Sequence, residues 1–221
     1  MNDKIKKKSR ERAITLSVLS ATCLPFGLHK FYLGLYQQGI LYVLFCWTLI
    51  PQIISLIEFI LFIKMKDDDF DMKYNKLYVR NEIYNKVMEE CKCIKSLTTE
   101  IDSSLTKDEK CFLQTYVQWH EYRKVKGIDK LELICQGNLY LTNKRIFVVS
   151  NMESKKIELK DIVDVACNKD DINIPDIVEI TKIKGKNVIL LFNKLEDMFK
   201  LYFMIIAYKN NLLKINKSIE S

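Results

Sequence analysis

Between Ala13 and Ile63 the chain runs for 51 positions with only two charged side chains, Lys30 and Glu58. Beyond Ile63, polar and apolar residues alternate on the short periods of water-soluble structure. The apolar stretch divides in two. Residues 13–28 would make about 24 Å of helix, short for a hydrocarbon core of roughly 30 Å, whereas residues 38–63 would make about 39 Å, enough to span with tilt. Pro51 is expected to bend the second helix, and Tyr42 and Trp47 either mark depth in the bilayer or pack. Two spans joined by about nine residues form a hairpin whose two ends share one side of the membrane.

Past Lys66 the period becomes that of soluble elements. Positions 77, 80, 84, 87, 91, 94, 98, 101 and 105 follow a 3-4 spacing and are apolar apart from Arg80 and Thr98, which predicts a helical seam. That seam suits a connector over residues 64–106, packed on the next domain, better than a coiled coil between copies. Thr106-Lys107-Asp108-Glu109 reads as a capping box opening a helix to about Lys124, with Phe112, Tyr116, Trp119 and Tyr122 as its core-facing stripe. Strands are predicted over 131–136, 138–142, 145–150, 155–159, 161–167, 177–182 and 187–192, with turns at 143–144, 151–154 and 184–186. A last helix, capped by Asn193, buries Leu195, Met198, Phe199, Tyr202, Ile205 and Ile206. The fold class is thus a membrane α-helical hairpin followed by a cytosolic α+β domain over residues 107–210, a bent seven-stranded sheet or barrel closed by a helix. Residues 211–221 make a polar tail.

Charge gives this order an orientation. The net charge is +7, and residues 1–12 contribute +4 directly before the first apolar run, the flank that stays in the cytoplasm by the positive-inside rule. Lys64 and Lys66 close the second run on the same side. With the positive charge placed there, nucleic acid is not the expected partner. A signal peptide is set aside because Gly27-Leu28-His29-Lys30 has no small-residue cleavage pattern and a longer apolar run follows. Seven cysteines without framework spacing argue against a disulfide scaffold and for a reducing compartment. Cys91-Lys92-Cys93 lacks a second ligand pair, so no metal is expected. Two histidines, His29 and His120, placed in different domains, with no phosphate loop or nucleophile motif, exclude the usual catalytic constellations and leave no cofactor to predict.

Gly27-Leu28-His29-Lys30-Phe31-Tyr32-Leu33-Gly34 resembles the turn motif of the TM-two family, a small domain of two transmembrane helices. The resemblance runs on through Gly39 and Trp47 to Glu58, where the family usually has aspartate. On physical grounds Gly27 and Gly34 serve a tight bend, Phe31 and Tyr32 seat in the membrane interface, and His29 and Lys30 solvate the turn. An intramembrane carboxylate pairs, protonates or lines a polar path, or else snorkels, here toward Lys64 or Arg12.

Residues 137–147, Gly-Asn-Leu-Tyr-Leu-Thr-Asn-Lys-Arg-Ile-Phe, are similar to a hairpin of GRAM-like and bacterial pleckstrin-homology-like (PH-like) domains, and Ile157–Ile162 continues the pattern. That resemblance implies binding of lipid headgroups or proteins and no catalysis. Lys144, Arg145, Lys155, Lys156, Lys182, Lys184 and Lys186 lie in the turns and are the candidate contacts with anionic headgroups or a protein partner, and Arg145 equally suits a structural role in its hairpin. The reading is a two-span membrane protein, both termini cytoplasmic, that displays an interaction module against the bilayer; a homo-oligomer is compatible with it. The alternative is a small oligomeric channel or transporter with Glu58 lining a polar path.

Overall fold

Ser9, in extended backbone, turns its hydroxyl onto the Arg12 N–H and so starts helix α1 (Arg10–Thr22). The computed structural model describes residues 6–23, 26–93, 95–100, 105–125, 127–150 and 153–210. The first five residues of the basic tail, Leu24 and Pro25 of the first apolar run, Ile94 and Ile101 of the seam, Asn151 and Met152 of a predicted turn, and the tail 211–221 lie outside the described residues. Helices α2 (Leu28–Tyr32), α3 (Tyr36–Leu44), α4 (Ile50–Lys64) and α5 (Asp67–Tyr74) complete a first compact unit that ends at Val79.

The apolar runs are helical, but not as two continuous spans. α1 stops at Thr22, six residues before the predicted end, and the predicted 38–63 helix is two helices separated by residues 45–49. Among the described residues, no helix is long and apolar enough to cross a membrane. The break belongs to Pro51, which occupies the first turn of α4. There its missing N–H costs nothing, whereas continuing α3 through it would drive its ring against the carbonyl of Trp47. α1 packs on α4 through small side chains, with Ala13, Ser17 and Ser20 buried on one helix and Ser55 on the other, so the two backbones approach closely.

The second unit begins at Arg80 and is built on one antiparallel sheet in the order β4-β3-β2-β1-β7-β6-β5. Its strands are β1 (Cys111–Val125), β2 (Ile128–Thr142), β3 (Arg145–Val149), β4 (Lys155–Glu158), β5 (Ile162–Cys167), β6 (Ile177–Lys182) and β7 (Val188–Phe192). The sheet curls around one core of Val117, Trp119, Leu139, Ile146, Ile180, Leu190 and their neighbours, and α7 (Leu195–Lys209) fills it with Met198, Phe199, Leu201 and Ile205. The helix α6 (Lys76–Glu90) adds Ile83, Tyr84 and Val87 to that core, as the predicted seam required.

Seven strands were expected and seven are present, though two of the assignments differ. The predicted helix over 107–124 is strand β1. Its burial alternates at Cys111, Leu113, Val117 and Trp119, a period of two, and its β-branched and aromatic content suits a pleated surface. In place of the predicted capping box, Thr106 and Glu109 close a turn, with the Glu109 N–H on the Thr106 carbonyl at 2.8 Å and the Thr106 hydroxyl donating to Glu109 Oε2 at 3.2 Å, and the chain leaves that turn extended. The two strands predicted over 131–142 are one, because Gly137 lies inside β2 opposite Val117. The cap of α7 is Lys194 rather than Asn193.

Candidate functional site

Gly27, at φ +64°, opens the short α2 and is held under Tyr42, whose ring a β-carbon on Gly27 would meet at 2.7 Å. From there α2 runs back along α1. At its start the Leu28 N–H reaches Ser20 Oγ at 3.1 Å, and at its end the Tyr32 hydroxyl accepts the Ser9 N–H at 2.6 Å while Lys8 Nζ donates to the Leu33 carbonyl at 2.7 Å. The motif is therefore folded into the helical unit and is not a solvated loop beyond it. His29 is fully buried and Lys30 is 6% exposed, which corrects the expectation that both solvate a turn. Phe31 and Tyr32 also serve the interior: the Phe31 ring occupies the space a side chain at residue 39 would need, with a β-carbon on Gly39 falling 2.8 Å from it.

Glu58 is the reason such a fold is tolerated. One carboxylate oxygen accepts from the Lys30 ammonium; the other accepts from His29 Nε2 at 2.5 Å and from the Tyr42 hydroxyl at 3.1 Å. Lys30 also donates to Gln38 Oε1 at 2.8 Å and lies over the Tyr42 ring at 5.7 Å. The other nitrogen of His29, Nδ1, lies 3.3 Å from Ser20 Oγ, whose hydroxyl donates to the Leu16 carbonyl at 2.8 Å. The cluster thus pairs one cation with one anion and satisfies each by further hydrogen bonds, the condition for burying charge among apolar helices. Snorkelling toward Lys64 or Arg12 is corrected: Glu58 turns inward to Lys30 and His29. Of this set His29, Lys30 and Glu58 were candidates from sequence, whereas Gln38 and Ser20 were missed. Tyr42, expected either to mark depth or to pack, is 6% exposed and packs.

At the end of α4 the Arg10 guanidinium donates to the Met65 carbonyl at 2.6 Å and to that of Phe62 at 3.4 Å, placing positive charge where the helix dipole is negative. Arg10 also pairs with Asp67 and Lys7 with Asp71, so the basic segment before α1 is bound to the acidic face of α5. Burial alone would raise the Asp71 carboxyl, but Lys7 and Asn75 outweigh it and hold it below its ordinary range.

In the second unit the similarity hairpin explains itself as structure. Thr142 accepts the Arg145 N–H at 3.0 Å and donates to Glu109 Oε1 at 2.8 Å; Asn143 takes the Lys110 N–H at 3.0 Å and donates to the Asp108 carbonyl at 2.9 Å; Arg145 binds both oxygens of Glu109, at 2.8 and 3.1 Å. Thr142, Asn143 and Arg145 therefore fix the entry to β1. Burial would raise the Glu109 carboxyl, but hydrogen bonds from Arg145 and Thr142 hold it below the usual carboxylate range.

The seven basic candidates are not one patch. Lys144 and Arg145 follow Thr142, opposite Cys111, while Lys182, Lys184 and Lys186 precede Val188, opposite Glu121, so the two groups flank opposite ends of an eleven-residue stretch of β1. Lys144 is also bonded to Thr106 Oγ1 at 3.0 Å, and Lys155 to Glu153 at 2.6 Å. Lys184 and Lys186 are exposed on the β6–β7 turn, and Lys156 is exposed on β4. Burial pushes the Cys91 and Cys167 thiols up to about 11, so neither behaves as a nucleophile. Among the described residues no group of three or more His, Cys, Asp or Glu side chains gathers as a metal site.

Residues 7–60 match the model of the TM2 domain. A relative from Bacillus subtilis (strain 168), described as "Uncharacterized membrane protein YozV", is 47% identical over 74 residues, covering 34% of this chain and 94% of the relative. Among solved structures, the chain is similar to the Vps36 N-terminal PH domain, at 18% identity and a TM-score of 0.39, covering 49% of this chain and 86% of that one. A C-terminal domain of an unknown protein from Leishmania infantum aligns at 15% identity and a TM-score of 0.32, covering 57% of this chain and 97% of the other.

Proposed function

Because the chain belongs to the TM2 domain family through residues 7–60, we propose that it is an integral membrane protein without catalytic activity that holds a PH-like interaction domain at the cytoplasmic face of the bilayer. The observation that carries this reading is the apolar surface of the helical unit. Ile40, Leu41, Leu44, Ile50, Ile53, Leu56, Ile57, Ile60 and Leu61 are all exposed by more than 40% along α3 and α4, and Trp47 at 82% and Leu49 at 71% occupy the turn between them. A continuous apolar surface of this kind calls for a hydrocarbon solvent or an equally apolar partner. The polar groups, by contrast, are turned inward onto Glu58.

The ends of the unit support the orientation. Arg10 sits at the C-terminal end of α4 and Lys7 on α5 directly after it, while the Trp47 turn lies at the N-terminal end of α4, so the basic end is the one left in the cytoplasm. The relative's description as a membrane protein agrees. The internal partners of Glu58 favour a locked bundle over a polar path. For the soluble unit, Lys182, Lys184 and Lys186 are the contacts we assign to anionic headgroups, each adding about 1 kcal/mol near such a surface. Arg145 is engaged by Glu109 and Lys155 by Glu153.

Two measurements test this. The full chain is expected to stay in the membrane pellet after an alkaline carbonate wash, and its release without detergent would end the membrane reading. Full chain held in neutral-lipid nanodiscs should capture vesicles containing phosphatidylserine better than neutral ones, with capture reduced in K184E/K186E; equal capture by both proteins would remove the headgroup assignment while leaving the anchor intact.

A further inference from the structure

β2 is 15 residues long, but β3 covers only Asn138–Leu141 of it. From Ile128 to Gly137 its outer edge pairs with no strand among the described residues, and the same segment leaves Ile128, Leu131 and Leu133 exposed by 63, 47 and 50%. An unpaired strand edge with apolar side chains and no proline is a template for another strand. The two-residue connection between Val125 and Ile128 makes that pair the hydrogen-bonded end of the hairpin. Residues 128, 130 and 132 therefore direct their backbone groups to β1, and residues 129, 131 and 133 direct theirs outward.

We propose that this edge pairs with the same edge of a second copy of the chain, antiparallel about a two-fold axis through Leu131. That register follows from charge. It lets Leu131 exchange both backbone hydrogen bonds with its mate and sets Lys130 opposite Glu132 of the second copy twice, at non-hydrogen-bonded positions where facing side chains are closest, all within the regular stretch before the β-bulge at Ile134. Asp129 faces Leu133, so no like charges meet. Shifting the axis by one residue puts Glu132 or Lys130 opposite itself and turns the wrong backbone groups outward. Glu132 already lies 3.9 Å from Arg123 across the hairpin, so the pairing would extend a ladder of alternating charge over the junction. This inference does not depend on what the domain binds.

The test is a charge exchange on the full chain in detergent micelles, with the protein mass measured by light scattering across a dilution series. Wild type should be dimeric. K130E and E132K each create two like-charge contacts and should raise the dimer dissociation constant roughly tenfold or more, while the double variant K130E/E132K restores opposite charges and should recover the wild-type mass. Unchanged circular dichroism establishes that each variant folds. A monomeric wild type overturns the proposal, as does a dimer that neither single variant weakens, or a double variant that fails to recover.

Discussion

Glu58 takes hydrogen bonds from Lys30, His29 and Tyr42, and all three donors are buried. Removing the carboxylate alone leaves the Lys30 ammonium uncompensated, so Glu58→Gln should cost about 3–5 kcal/mol, whereas deleting both charges in Lys30→Met/Glu58→Gln should cost less than either single change. Thermal unfolding in detergent, followed by tryptophan fluorescence, measures both, and a double variant worse than the singles would mean that the pair is not what the cluster depends on. Tyr42→Phe removes one hydrogen bond and should cost about 1 kcal/mol. In the second unit Glu109 has a depressed carboxyl, so the unfolded chain takes up its proton first as pH falls. Its contribution to stability is whole above the ordinary value of 4.5 and drains away as pH drops below it toward the folded value. Thermal denaturation from pH 6 to 3 should show that loss, and Glu109→Gln should flatten it. That Glu58 is the one acid of the apolar stretch 13–63 was plain from the sequence. Its partners were not, because a lysine 28 residues away in a presumed loop gives no local signal of burial, and Gln38 looks like an ordinary boundary residue.

At the scale of elements, the strand pattern from 138 onward was legible because alternation, Asn143-Lys144 and Lys184-Gly185-Lys186 all agree. β1 was not. Its aromatic residues 112, 116, 119 and 122 fit a period of 3.6, its buried residues 111, 113, 117 and 119 fit a period of two, and tertiary pairing to both β2 and β7 decided between them. Gly137 separates two predicted strands because glycine weakens strands; it is instead the point where β2 passes the end of β3, and a β-carbon there would lie 2.0 Å from the Val149 carbonyl oxygen. Gly137→Ala must therefore displace β3, and a loss of about 1–3 kcal/mol or more is expected, read as a lower Tm. Cavity-free neighbours such as Gly127, which has nothing within 4 Å, provide the control for crowding, although at φ +82° alanine is strained there too. Arg80 illustrates the converse. It interrupted the apolar seam of α6, yet its guanidinium is the anchor of that helix, bound to Asp176 at 2.6 Å and to Asn168 Oδ1 at 2.9 Å and set over the Phe199 ring. A buried arginine in an apolar row reads as an exception until the loop that receives it is known.

Over the whole molecule, the division into an apolar helical part and a polar sheet part follows from the distribution of charge alone, whereas the family of the first part was legible only in the motif from Gly27 to Gly34. The internal course of the first part was hidden, because hydropathy counts apolar residues without saying where a backbone turns back on itself. That turning back has a consequence for biogenesis. Lys30 leaves the ribosome long before Glu58, and a lone lysine in a helix centre costs roughly 2.5–3.5 kcal/mol on insertion. Until α4 is made, the segment carrying Lys30 has no counter-ion, so its burial beside α1 must wait for the second apolar run. Nascent chains arrested before Glu58 is exposed should leave a cysteine introduced at the neighbouring buried Leu33, with Lys30 kept, open to water-soluble maleimide, and chains arrested well after it should protect that position. The order of synthesis would then be written into the bundle, with the first helix held open until the last one arrives to close it.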